Sequence, residues 1–255
     1  MTKHIRFSLD RSIEPTAPDG SAGVLYGTLD GNTVRGPEGT LYPLDQVRLL
    51  PPCSPSKIVC VGKNYADHAA EFDSAPPEEP IIFLKPPSGL IAHRDCIVYP
   101  PISKRVDYEG ELGVVIGRRA RNVNREEALD YVLGLTCVND VTARDLQKKD
   151  GQWTRGKGFD TFCAVGPWIV PLSEVSIADL RVRTFVGDEK KQDAAVRQMI
   201  FDVPRIIEFI TEFMTLLPGD LIATGTPAGV GPLQPGSVVR VVIEGVGELE
   251  NTVIK

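Results

Sequence analysis

Apolar and polar positions change period along this chain, and the changes predict many short strands and few helices. Ile5 to Leu9 alternates, and Val24 to Leu29 and Thr33 to Arg35 flank Asp30-Gly31-Asn32, a hairpin turn signal. Lys57 to Gly62, Phe162 to Val170, Leu180 to Phe185, Val196 to Ile200, Leu221 to Thr224 and Val238 to Ile243 read as strands, with a last one near Val253. Val106 to Ile116 reads as one long strand. The clearest helix is Asp202 to Leu217, where Ile206, Ile207, Ile210, Phe213, Met214 and Leu217 recur at helical spacing before Pro218-Gly219 ends it. Asn64 to Phe72 and Asp140 to Asp150 look helical. Leu129 to Val138 joins a helix end to a strand, with Asn124 and Glu127 at capping-box spacing ahead of it. The short segment before the proline-rich stretch Ala75 to Pro80 is weakly anchored in sequence, as a lid would be.

Composition fits this picture. The 24 Gly and 21 Pro among 255 residues supply the turns that short strands need, below the share that marks low-complexity disorder. Pro51 to Pro55 resembles a linker, which divides the chain into a small β unit (1–52) and a larger domain (53–255). The formal net charge of -6 argues against nucleic acid or an anionic membrane as partner. No apolar run approaches a membrane span or a signal peptide, so the expected compartment is the cytoplasm. The five cysteines are odd in number and widely spaced, which reads as buried reduced thiols.

Chemistry concentrates in Asp107-Tyr108-Glu109-Gly110-Glu111-Leu112. In a strand, Glu109 and Glu111 share a face with their Cα atoms about 6–7 Å apart. On a buried sheet the two carboxylates repel each other and lose hydration, and a divalent cation relieves both costs. A solvated strand face is the other reading. Asp140 follows a strand and adds a third carboxylate, making an all-oxygen set suited to Mg²⁺ or Mn²⁺, unless it only caps the next helix. His68 and Glu71 stand three apart on one helical face, as a water-activating pair or as a plain surface contact. Lys85 follows an apolar strand, and Lys157 lies between Gly156 and Gly158, which permit close approach to a ligand. Either lysine can face an anion or solvent. Thr224 to Gly231 offers backbone N–H groups and a hydroxyl to an anion but lacks the ending of a P-loop.

Taken in order, Val61 to His68, Phe83-Leu84-Lys85-Pro86, Asp107 to Leu112, Asn139 to Gln147, Lys157-Gly158-Phe159-Asp160 and Thr224 to Gly231 resemble the fumarylacetoacetate hydrolase superfamily over roughly residues 55–253. The resemblance implies a mixed α+β, mostly β fold: a β-roll or β-sandwich catalytic domain with a small N-terminal β domain, in a homodimer. It implies Glu109, Glu111 and Asp140 as ligands of Mg²⁺ or Mn²⁺, and His68, Glu71 and Lys157 as catalytic residues. Lys85, Arg144, Gln147, Gly225 and Thr226 are implied to bind a small anionic 2-oxo acid. The activity expected first is hydrolytic C–C cleavage of a 2,4-dioxo acid such as an acylpyruvate, with the cation neutralising the enolate that forms. Decarboxylation of an oxaloacetate-type acid, or isomerisation of a 2-hydroxyhepta-2,4-diene-1,7-dioate, is the alternative, and a non-catalytic metal-binding protein is the reading outside enzymes. Two places depart from the family pattern. Ala164 stands where proline is common, and Ala195-Val196-Arg197 replaces a polar stretch, which bears on the distal substrate pocket.

Overall fold

A computed structural model describes residues 1–17, 19–71 and 75–255. Among the described residues the strands form a 12-stranded mixed sheet, a 5-stranded sheet and a 3-stranded sheet. The small N-terminal unit does not stand apart from the large sheet. Its first strand, Lys3–Ser8, pairs with Leu25–Asp30 and Arg48–Leu50 and also meets Cys163–Pro171 through His4 and Ile169. The predicted hairpin forms across Gly31, with Asp30 opposite Thr33.

The centre of the large sheet carries the chemistry. Gly110–Ile116 pairs antiparallel with Val132–Asp140 on one side and with Leu221–Ala223 on the other, and Ile58–Gly62 extends the sheet beyond. Period-two alternation sorts the side chains of Gly110–Ile116. Leu112, Val114 and Ile116 join the main core with Val182, Val241 and Ile243 of the 5-stranded sheet, whereas Val115 packs in a second cluster on the other face. The expected single strand from Val106 to Ile116 is broken at Glu109, between Val106–Tyr108 and Gly110–Ile116. At the break, side chains replace ladder partners: the Asn139 Oδ1 accepts the Glu109 N–H at 3.0 Å and the Gln192 Oε1 accepts the Gly110 N–H at 3.0 Å. The backbone therefore leaves the ladder without stranding buried donors.

The predicted helix forms as Val203–Phe213, with Asp202 capping it by accepting the Arg205 N–H at 3.0 Å. Its apolar face, Ile206, Ile207 and Ile210, closes one flank of the core. It stops before Leu217 because Met214 turns extended and Leu216 bonds to Ala120 instead.

Four further expectations are corrected. Val196–Gln198 is a 3-10 turn with Val196 buried in the core, and the polar strand Glu189–Ala195 precedes it. Arg125–Tyr131 is 3-10 and Asn124 makes no side-chain cap. The helix expected from Asp140 begins later, as Arg144–Asp150, because Asp140 finishes the strand Val132–Asp140 opposite Cys163. Cys53, Cys60, Cys137 and Cys163 are buried free thiols, but Cys96 is exposed, since the short strand Cys96–Val98 turns only Ile97 inward. No helix among the described residues is long and apolar enough to cross a membrane.

Candidate active site

Glu109, Glu111 and Asp140 converge from the strand break, the central strand and the end of its neighbour. One oxygen from each lies within 4.8 Å of the others, and all three residues are buried. The geometry decides the first open question: the glutamates face the interior, not a solvated sheet surface. Asp140 is no helix cap either, because the helix it was expected to open starts at Arg144 with no side-chain cap.

Three buried carboxylates need compensation, and the chain supplies part of it. The Lys157 Nζ donates to the Glu109 Oε2 and the Asp140 Oδ2, both at 2.7 Å. The Lys85 Nζ donates to the Asp140 Oδ1 at 2.6 Å and to the Val141 carbonyl at 3.1 Å. Arg144 reaches the Asp107 Oδ2 at 2.9 Å, the Gln147 Oε1 at 2.7 Å and the Glu109 Oε1 at 2.5 Å. Burial works against the Glu109 anion, but Lys157 and Arg144 outweigh it and hold its carboxyl well below the usual range. Lys157 shows the converse balance: burial disfavours its charge, and Asp140 and Glu109 raise its pKa nonetheless. Glu111 differs. Burial, then Asp140 and Glu109, push its carboxyl well above the ordinary carboxylate value, while the Gly225 N–H at 2.8 Å works the other way. An all-oxygen triad whose third member, Glu111, makes no ion pair among the described residues fits a hard divalent ion such as Mg²⁺ or Mn²⁺.

A cavity of about 510 Å³ opens against this triad. His68, Glu71, Arg144, Gln147, Lys157 and Thr226 line it together with the three carboxylates. His68 is buried on the helix Ala66–Glu71, and its Nδ1 lies 3.1 Å from the Glu71 Oε2. The other Glu71 oxygen accepts the Gly229 N–H at 2.7 Å, so the helix is tied to the loop across the cavity. Asn64 ties its near end, donating to the Phe201 and Thr224 carbonyls at 3.0 and 2.8 Å. The helix-like reading extended to Phe72, which lies outside the described residues. Trp153 forms another wall, packed edge-on against Phe83 and so close to Gly62 that a Cβ there would meet its ring at 2.6 Å.

The structure does not bring every expected ligand-binding residue to the cavity. Lys85 and Gly225 stand behind the carboxylates and hold them. The glycines beside Lys157 serve packing: a Cβ at Gly156 would meet the Gln147 backbone at 2.8 Å, and one at Gly158 would meet the Thr154 carbonyl at 2.6 Å. The N–H groups of Gly225 and Gly229 do meet anions, but these are the protein's own Glu111 and Glu71. The supporting roles of Asn139 and Gln192 leave no sequence signal, because each side chain bonds a backbone N–H that only the fold brings near. Asp107 is buried between Arg105 and Arg144 and anchors both guanidinium groups.

Three buried carboxylates at the centre of the large sheet, two of them held by Lys157 and Lys85, thus face a cavity that a His–Glu pair also lines. Residues 57–254 match the family of the fumarylacetoacetate (FAA) hydrolase C-terminal domain, and the chain belongs to that family. The crystal structure of a 2-hydroxyhepta-2,4-diene-1,7-dioate isomerase from Mycobacterium marinum is similar over 100% of this chain and 98% of its own, with 44% identity and a TM-score of 0.87. A 5-carboxymethyl-2-hydroxymuconate delta-isomerase from Mycobacterium smegmatis is similar over 99% and 98%, with 41% identity and a TM-score of 0.87. An oxaloacetate tautomerase of Bacillus subtilis is 42% identical over 84% of this chain and 75% of its own length.

Proposed function

We propose that this enzyme moves a proton between carbon and oxygen in a small 2-oxo diacid, as a keto–enol tautomerase or double-bond isomerase, with Mg²⁺ or Mn²⁺ as its cofactor. The observation that carries the reading is the buried triad with ligand oxygens within 4.8 Å, beside a cavity that His68 also lines. Names of the relatives support this chemistry over hydrolytic C–C cleavage, which was expected first from the sequence. A cation held by Glu109, Glu111 and Asp140 would polarise the 2-oxo and carboxylate oxygens of the substrate.

The chain's own residues supply the rest. Lys157, itself buried, adds fixed positive charge where an enolate oxygen develops. Glu71 orients the imidazole through the His68 Nδ1, and the His68 ring takes the proton from the carbon next to the keto group and returns it. Arg144 and Gln147 border the same space and orient the substrate, while Lys63, Arg105 and Lys148 give its wall the positive charge to receive a distal carboxylate. Hydrolysis of an acylpyruvate is the second reading, favoured by the same His68–Glu71 pair, which can equally deprotonate a water. A homodimer, checked by sedimentation, is the assembly proposed with either.

A substrate panel decides between them. Enol-oxaloacetate, a conjugated 2-hydroxydienedioate and an acylpyruvate are followed by absorbance with Mg²⁺, with Mn²⁺ and after chelation. Rapid ketonisation or isomerisation that chelator stops and Glu111→Gln abolishes is expected. His68→Ala is expected to lower it by about 10²–10⁴-fold. Faster turnover of acylpyruvate than of either diacid shifts the reading to hydrolysis. No turnover of any of the three overturns the enzyme reading.

A further inference from the structure

Gln192 lies 82 residues from Gly110 in sequence, on a polar strand, yet it is 1% exposed and its carboxamide touches the centre of the site. Its Oε1 accepts the Gly110 N–H at 3.0 Å, and its Nε2 donates to the Thr226 Oγ1 at 2.8 Å and to the Pro227 carbonyl at 2.7 Å. Backbone chemistry dictates this orientation. The Gly110 N–H can only donate and the Pro227 carbonyl can only accept, so exchanging oxygen and nitrogen would lose both bonds. The Thr226 Oγ1 must then accept from Nε2, and it sends its own proton to the Gly110 carbonyl at 2.9 Å. Gly110, the single residue between Glu109 and Glu111, is thus held at both its N–H and its carbonyl.

We propose that Gln192 is a positioning residue that sets the spacing of the two glutamates and fixes the polarity of Thr226. The Thr226 hydroxyl proton is committed to Gly110, so toward the cavity the hydroxyl offers only a lone pair. A ligand atom that meets it brings its own proton, as an enol O–H or a water does and an ionised carboxylate oxygen does not. The inference rests on the cation-binding reading above and adds a residue to it.

Mn²⁺ titration calorimetry on the metal-stripped full chain tests it without turnover. Gln192→Ala is expected to weaken Mn²⁺ binding by about 10–100-fold, the usual range for residues that orient metal ligands. Gln192→Glu keeps an acceptor for the Gly110 N–H but sets a carboxyl oxygen against the Pro227 carbonyl, and it is expected to weaken binding as well. Its volume is nearly native, so it decides the matter if Gln192→Ala does not fold. Thr184→Val is the packing control: its hydroxyl abuts Gly110 but makes no hydrogen bond, so unchanged affinity is expected. Native affinity in both Gln192 variants overturns the inference, as does equal weakening by Thr184→Val. Failure of the unaltered protein to bind Mn²⁺ overturns the proposed function and this inference together.

Discussion

Single residues here are chosen by what lies across from them. Gly110 is the sharpest case, because a Cβ at that position would sit 2.0 Å from the Thr184 Oγ1 and 3.3 Å from the Val241 Cγ2. The space over Gly110 is filled from the opposing sheet. Gly110→Ala is expected to cost about 1–3 kcal/mol through overpacking, read as a lower denaturation midpoint in urea. Adding Thr184→Ala should restore part of that loss, since it removes the atom in the way. A double variant no more stable than Gly110→Ala alone would show that the clash is not the cause. Such residues also mark the limit of sequence reading. Glu109, Glu111, Asp140 and His68 were legible because carboxylates and an imidazole carry their chemistry in their type. Gln192 and Asn139 were not, because each acts on a backbone group brought near only by the fold.

At the level of elements, alternation and helical spacing located most strands and the Val203–Phe213 helix, while the errors cluster where tertiary bonds override local pattern. The Glu109 break is set by Asn139 and Gln192, and the polar strand Glu189–Ala195 has no apolar alternation to announce it. A side chain also splices the C-terminal strand. The His93 Nδ1 accepts the Glu250 N–H at 3.1 Å, standing in for a strand neighbour, and the Arg94 N–H donates to the Glu250 carbonyl at 2.8 Å. Burial, then Arg94, lower the His93 pKa from its ordinary 6.5, against the opposing pull of Glu250, Glu248 and Asp95. The unfolded chain therefore takes up the proton first. Its stabilising contribution is full above about pH 6.5 and declines as pH falls through the folded value. His93→Asn keeps an acceptor and removes the titration, so its urea midpoint should fall less than the native one between about pH 7 and pH 5. Parallel pH curves for the two proteins would refute this.

Across the whole molecule, the small N-terminal unit and the roll share one sheet. Ile5, Phe7, Leu29, Val34 and Val47 form their own cluster, and Trp168 of the roll packs against it. Cys163–Pro171, whose far end holds Cys163 opposite Asp140, is capped along its flank by the first strand. Deletion of residues 1–50 would bare that strand edge together with Ile169 and Trp168, and aggregation is the expected result, measured by light scattering. A monodisperse truncated protein that binds Mn²⁺ like the full chain would contradict it. The break in composition at Pro51 to Pro55 was legible in sequence, but the sheet continuity was not, since pairing between strands as far apart as His4 and Ile169 leaves no local trace.

Glu71 spends one oxygen on the His68 imidazole and the other on the Gly229 N–H. One carboxylate therefore links the loop at Gly229 to the imidazole across the cavity. Any displacement of the helix from the loop takes away the carboxylate's backbone anchor. For the proposed base, moving the helix away from the loop therefore also moves the carboxylate that orients it.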